Sequence, residues 1–331
     1  MNKSDILALF QHYPLLDKNL ADQVTKISEL FGFCSNNFIF EMPLEGNESK
    51  VDFSLCIRQE EAGQLLDYWE KEELKPIFYN PNWETIKRFC SEWRSLYSPV
   101  RHNIRDVWYE FDNHQLDMNL PNACFFFSPV SLRKKSSREN DKENVDTDWL
   151  FNSVLVTLFK KYFSEEVKRN LVTCVDQLPR KGVIFQIGIM IPRGFNGLRL
   201  CTSMSIDNYI PYLERIGWTG SYGNLEKILN TLYSYVDALF VDIDIEENIY
   251  QSLGIECCYA VAKETILKLE KFLHYLLSCG LCTKEKAGFI LSWCNHNDTA
   301  FQNTVSHIKI VLPPSQVSTA KVYLAVSKSS R

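Results

Sequence analysis

The 331-residue chain lacks the short signatures that reveal a chemistry directly. It has no GxxxxGKS or GxxxxGKT phosphate loop, no GxGxxG following a strand, no HExxH and no GxSxG. These absences set aside the P-loop, dinucleotide-binding, zincin and serine-hydrolase readings. The six histidines are scattered without metal-ligand spacing, and His102, His114 and His274 read as surface or helix residues. No apolar run reaches the roughly 18 residues that a membrane-spanning helix needs. There is no basic surplus either: the net charge is -5, which argues against a nucleic-acid partner. Met1-Asn2-Lys3-Ser4-Asp5 leads into an amphipathic stretch with acidic residues rather than a signal peptide, so a cytoplasmic location is expected.

Cysteine is plentiful, at 11 residues, but it lacks the spacing of a disulfide framework. The cysteines lie in a long chain, many inside apolar runs such as Leu55-Cys56-Ile57, and read as buried reduced thiols. Cys279-Gly280-Leu281-Cys282 is a lone CxxC at an expected helix end, with Cys294 and His296 keeping a zinc site open as an alternative. One stretch is short of apolar residues. Arg133 to Thr147 is charged and is expected to be a mobile loop inside a single 1–331 domain.

What the sequence does hold is repetition. Phe38, Phe40 and Met42 alternate with Asn37, Ile39 and Glu41, a turn follows at Gly46-Asn47-Glu48-Ser49, and Val51, Phe53, Leu55 and Ile57 alternate with Asp52, Ser54 and Cys56. Two period-two runs around a short polar loop predict a β-hairpin. Four more hairpins follow: 107–112 with 123–127, 183–191 with 198–204, 239–245 with 253–259, and 305–312 with 320–326. Between them, helical periodicity predicts helices over 60–73, 83–97, 149–175, 206–216, 225–235, 263–279 and 284–293, with an opening helical stretch over 6–30. With 45% hydrophobic and 13% aromatic residues, the chain can bury a large core.

Ten antiparallel strands expose edges unless their sheet closes, and the helices must bury an apolar stripe against that sheet. One strand parity is apolar: Phe38, Phe40, Val51, Phe53, Leu55, Tyr109, Phe111, Ile187, Leu198, Leu200, Val241, Ile243, Ile308 and Ile310. The other carries Glu41, Asp52, Ser54, Glu110, Asp112, Gln186, Arg199, Asp242, Asp244, Glu256, His307, Lys309, Lys321 and Tyr323. The expected fold is therefore an α/β closed ten-stranded antiparallel barrel of five ββαα repeats, ringed by helices, with a polar lumen wide enough for a ligand.

This pattern of five two-stranded repeats around a polar lumen resembles the ABBA-type prenyltransferase barrel, in architecture rather than through a signature motif. The resemblance implies transfer of an isoprenyl group from an allylic diphosphate to an electron-rich small-molecule or peptide acceptor. It also implies a diphosphate held by lumen Lys, Arg and Tyr residues, often spaced K-x-Y. Lys321-Val322-Tyr323 stands as K-x-Y in the last strand, Lys309 lies on the strand paired with it, and Arg199 on an earlier return strand. The first and fourth hairpins offer no lumen cation. Asp242-Ile243-Asp244 instead brings two carboxylates that could hold magnesium, so the expected cofactor is either none or Mg2+.

The chemistry assigns the remaining candidates. A departing diphosphate needs cations where negative charge develops. Arg199, Lys309 and Lys321 are the basic residues on the lumen parity, with Tyr323 and His307 as added donors. The competing reading is that these cations neutralise neighbouring carboxylates. An allylic cation needs aromatic shielding, for which Trp108 and Tyr259 are candidates, although strand aromatics also serve as core. Glu110 and Glu256, with Glu41 third, are candidates for the base that takes the acceptor proton. Glu256 alternatively pairs with Lys309, Lys321 or Arg199. The excess of lumen acids also admits a cationic acceptor such as a guanidinium or amine. An acid–base enzyme of another class on the same barrel, or a non-catalytic ligand-binding barrel, are the rival functions.

Overall fold

The computed structural model describes residues 3–328 except 12, 14–15, 17, 47–49, 117, 135–143, 159–162, 261–264, 296–300 and 315–317. The alternating segments form strands β1 (Asn37–Pro43), β2 (Asp52–Arg58), β3 (Ile104–Phe111) and β4 (Cys124–Pro129). After a short outer pair, β5 (Arg133–Lys134) with β6 (Asn144–Val145), come β7 (Val183–Ile189), β8 (Leu198–Ser203), β9 (Ala238–Ile245), β10 (Ile249–Cys258), β11 (Phe301–Leu312) and β12 (Thr319–Lys328). Ten of them close an antiparallel barrel in the order β1-β12-β11-β10-β9-β8-β7-β4-β3-β2. The seam pairs the first strand with the last, Phe38 opposite Val326 and Glu41 opposite Tyr323. The expected fold is the observed one.

The apolar parity faces outward into the core shared with the helices, where Phe40, Phe53, Tyr109, Leu200 and Val241 have no exposed surface. Helices are pinned to the barrel by tryptophans that bury a large ring and still satisfy their one donor. Trp93 Nε1 donates to the Ile104 carbonyl at 3.0 Å, and Trp293 Nε1 to the Thr304 carbonyl at 3.1 Å. Both acceptors lie on or at the start of barrel strands. No helix among the described residues is long and apolar enough to cross a membrane.

Several boundaries differ from expectation for local reasons. The opening stretch is two helices, Lys3–Gln11 and Lys18–Leu30. The helix expected over 149–175 is split: Leu150–Leu158 is π-helical, and Glu165–Asp176 starts afresh at Ser164, whose side chain accepts from the Val167 N–H. Asn80 caps Pro81–Arg94 in the same way, with Pro81 at the first helical position, where its missing N–H costs nothing. The charged segment 133–147 is anchored at both ends. Arg133 and Lys134 pair with Val145 and Asn144, and Arg133 donates to the carbonyls of Val175, Asp176 and Leu178. Its middle lies outside the described residues.

The CxxC stretch is a helix terminus. Gly280, at φ 72°, ends the helix Thr265–Ser278, and the Leu281 N–H bonds back to the Leu276 carbonyl at 2.9 Å. Cys279 is exposed while Cys282 is buried with its thiol on the Thr283 carbonyl. His296 lies outside the described residues. None of the eleven cysteines forms a disulfide.

Candidate active site

The polar parity faces a cavity of about 950 Å3 inside the barrel. Every residue given a candidate role in the sequence lines it: Glu41, Glu110 and Glu256; Arg199, Lys309, Lys321, Tyr323 and His307; Trp108 and Tyr259; Asp242 and Asp244; Asp52 and Asp112 of the same parity do not. Along β3, β9 and β12 the charged lumen residue stands nearer the hairpin turn than the aromatic one: Glu110 before Trp108, Asp244 and Asp242 before Phe240, Lys321 before Tyr323. The lumen thus grades from charged to aromatic. Phe185 and Phe240 meet at 5.1 Å, and His307 stacks on Tyr323 at 4.0 Å.

Each cation is matched to carboxylates. Arg199 makes a bidentate contact with Asp244, 2.7 and 2.8 Å long. Lys309 bonds Asp242, Lys321 bonds Glu41, and Arg193 bridges Glu110 and Asp112. Arg193 was invisible to strand parity because it sits in the turn Ile191–Arg193, from which it reaches back into the lumen. Lys309 stands opposite Glu256 in register, yet it crosses the strand to Asp242. Gly254 makes this crossing possible, since a β-carbon there would lie 2.5 Å from Lys309 Cε.

These pairings set the proton affinities. Burial pushes the Glu41 carboxyl up, but Lys321 and the Tyr323 hydroxyl override it and hold it at about 2. Asp242 is likewise held down against burial by Lys309 and Arg199. Glu110 is pushed up by burial, with Arg193 opposing. Burial, then Lys309, drives His307 down to about 3, so it is neutral and adds no positive charge to the lumen. Glu256 differs from the other lumen acids on β1, β3 and β9. Among the described residues it forms no ion pair with lysine or arginine, and its nearest such contact is His307 Nε2 at 3.9 Å. Burial, then the Asp242 charge, raises it to about 8. Asp52 is also raised, to about 7, by burial and Glu41.

The magnesium expectation does not fit these residues. Asp242 and Asp244 are each committed to a cation. The ligand-type atoms that do cluster, within 4.8 Å, belong to Cys201, Asp242 and Glu256. A thiol whose pKa burial has raised far above its usual value is a poor partner in the oxygen set that magnesium requires.

No family model matches the chain, and no curated protein matches it. The fold is that of the ABBA prenyltransferase barrel. The apo form of the prenyltransferase PriB is similar over 99% of this chain and 96% of its own, with a TM-score of 0.55 at 11% identity. PriB in ternary complex with L-tryptophan and dimethylallyl thiolodiphosphate matches over the same shares, with a TM-score of 0.52 at 11% identity.

Proposed function

We propose that the chain is a prenyl-group transferase whose allylic diphosphate donor and electron-rich acceptor share the barrel lumen. One observation carries this reading. A single cavity combines four cations, an aromatic wall, and one carboxyl left without a cation partner. The isoprenyl chain would lie against Trp108, Phe126, Phe185 and Phe240, whose faces stabilise an allylic cation. The diphosphate would draw on the more accessible cations. Lys321, Arg193 and Arg199 have side chains 34%, 28% and 23% exposed, whereas Lys309 is only 9% exposed and is fixed on Asp242.

In the transfer step the C1–O bond of the donor breaks and its electron pair leaves with the diphosphate. The acceptor atom bonds to C1, and its proton passes to a carboxylate. Glu256 is best placed for that role. Glu41 is held down by Lys321 and Glu110 is tied to Arg193, while a carboxyl free of such a partner and near the working pH is the efficient base. The test is a mass-spectrometric screen of dimethylallyl and geranyl diphosphate against pooled aromatic, guanidino and peptide acceptors. A product 68 mass units heavier (about, per dimethylallyl group), lost in Arg199→Ala and Lys321→Ala, supports the reading. The surplus of carboxylates favours a second reading, a barrel that binds a cationic ligand without transfer. Donor-independent binding with no product in any combination selects it.

A further inference from the structure

We infer that the part of the lumen beside Glu256 is built for a cationic, N–H-rich acceptor head group, a guanidinium or primary ammonium, seated between Asp242 and Glu256. This rests on the proposed use of the lumen as a substrate site and names the class of acceptor.

Two independent observations lead there. The first is charge. Arg193, Arg199, Lys309 and Lys321 are already matched by Glu110, Asp112, Asp244, Asp242 and Glu41. Glu256 has no lysine or arginine partner among the described residues. The acids of the lumen therefore outnumber its cations, and the surplus falls at Glu256, which leaves room there for one added positive charge. The second is unmet hydrogen bonding. Asp242 gives one oxygen to Lys309, while its Oδ1, on a side chain only 2% exposed, has no lysine, arginine or backbone donor among the described residues and adjoins only the Cys201 thiol and the Glu256 carboxyl. Tyr259 Oη and His307 Nε2 have no hydrogen-bond partner among the described residues, and all three residues line this cavity beside Glu256. A buried acceptor left without a donor costs about 1–3 kcal/mol, so an arrangement of several points to a ligand that completes them.

Chemistry narrows that ligand. A phenol or indole brings one donor, too few for Asp242 Oδ1 and Glu256 together. A guanidinium brings five N–H groups in a plane and an ammonium three, each with a positive charge to set beside Glu256. The aromatic wall of Phe240 and Trp108 adds a face against which a planar cation can lie. Glu256 and Asp242 adjoin, and a cation entering between them takes over the role of the proton that Glu256 otherwise holds. Binding thus releases a proton, which gives the proposal a signature independent of catalysis.

The experiment is calorimetric titration of the full chain, without any diphosphate, in two buffers of different ionisation enthalpy near pH 7. The probes are N-acetylarginine amide, N-acetyllysine amide, the neutral isostere N-acetylcitrulline amide, and tryptophol. The expected result is that at least one of the two cations binds about tenfold or more tighter than citrulline amide and tryptophol, with release of about one proton. Glu256→Gln should abolish the proton release and weaken the cation about tenfold. Asp242→Asn tests the other oxygen, and circular dichroism establishes that each variant is folded. Equal or tighter binding of the neutral probes, no cation binding at millimolar concentration, or cation binding unchanged in Glu256→Gln overturns the inference. Cation binding with no product in the transfer screen keeps it and removes prenyl transfer. Product from neutral acceptors without cation preference does the reverse.

Discussion

Glu256 and Glu41 lie in the same lumen and titrate in opposite directions, and both consequences are measurable. A carboxyl raised to about 8 in the folded chain binds its proton more tightly folded than unfolded. Its stabilisation is complete below the ordinary carboxylate range and is lost as pH rises through about 8. The groups facing it are Asp242, Lys309, Arg199, His307 and Cys201, so removing Glu256 isolates its own contribution. The Tm of Glu256→Gln should fall less than that of the parent between about pH 6 and 9, read by thermal melts. Glu41, held at about 2, contributes above the ordinary range and loses its contribution as pH falls through 2. In the transfer assay, Glu256→Gln should lower kcat about 10²- to 10⁴-fold, the usual worth of a positioned base, provided the product screen is positive. Much of this lumen was legible in the sequence, because a charged residue at alternate positions of an apolar strand has only one place to point. Phe126, Phe185, Phe240 and Cys201 were not legible, since an apolar residue facing a cavity has the same periodicity as one facing the core.

At the scale of the element, the strands carry irregularities that period two cannot express. Register shifts lie between Ile184 and Gln186 and between Val305 and His307. At these bulges consecutive residues, Phe185 with Gln186 and Ser306 with His307, both line the lumen. Five hairpins could be read from alternation, whereas the bulges, the Arg193 turn and the break before Ser164 arise from local geometry and from contacts distant in sequence. The β9–β10–β11 patch offers a direct test of pairing. Lys309→Met should cost about 3–5 kcal/mol by leaving Asp242 buried without its cation. Adding Asp242→Leu should recover a large part of that loss, as measured by urea denaturation of the single and double variants. Gly254→Ala should cost less than Lys309→Met, because the added methyl displaces the far end of the lysine stem without removing its charge. Trp293→Ala, which removes a fully buried ring and its bond to the Thr304 carbonyl, should cost about 3–5 kcal/mol.

For the whole molecule, closure is the property on which everything else depends. The seam joins β1 to β12 along seven residue pairs, Asn37–Ser327 through Pro43–Lys321. A chain truncated before Thr319 would leave β1 and β11 with bare edges and open the lumen to solvent. Such a chain should aggregate, read as loss of the full chain's elution peak in size-exclusion chromatography. The seam also governs timing. Lys321 and Glu41, ion-paired across it, are separated by 280 positions, so the ring of strands is completed by its most distant contact, and folding dominated by such contacts is slow. During synthesis the cavity exists only after the final strand has left the ribosome. Until then its acids and bases face water, and any ligand must wait for the last ten-residue strand to arrive.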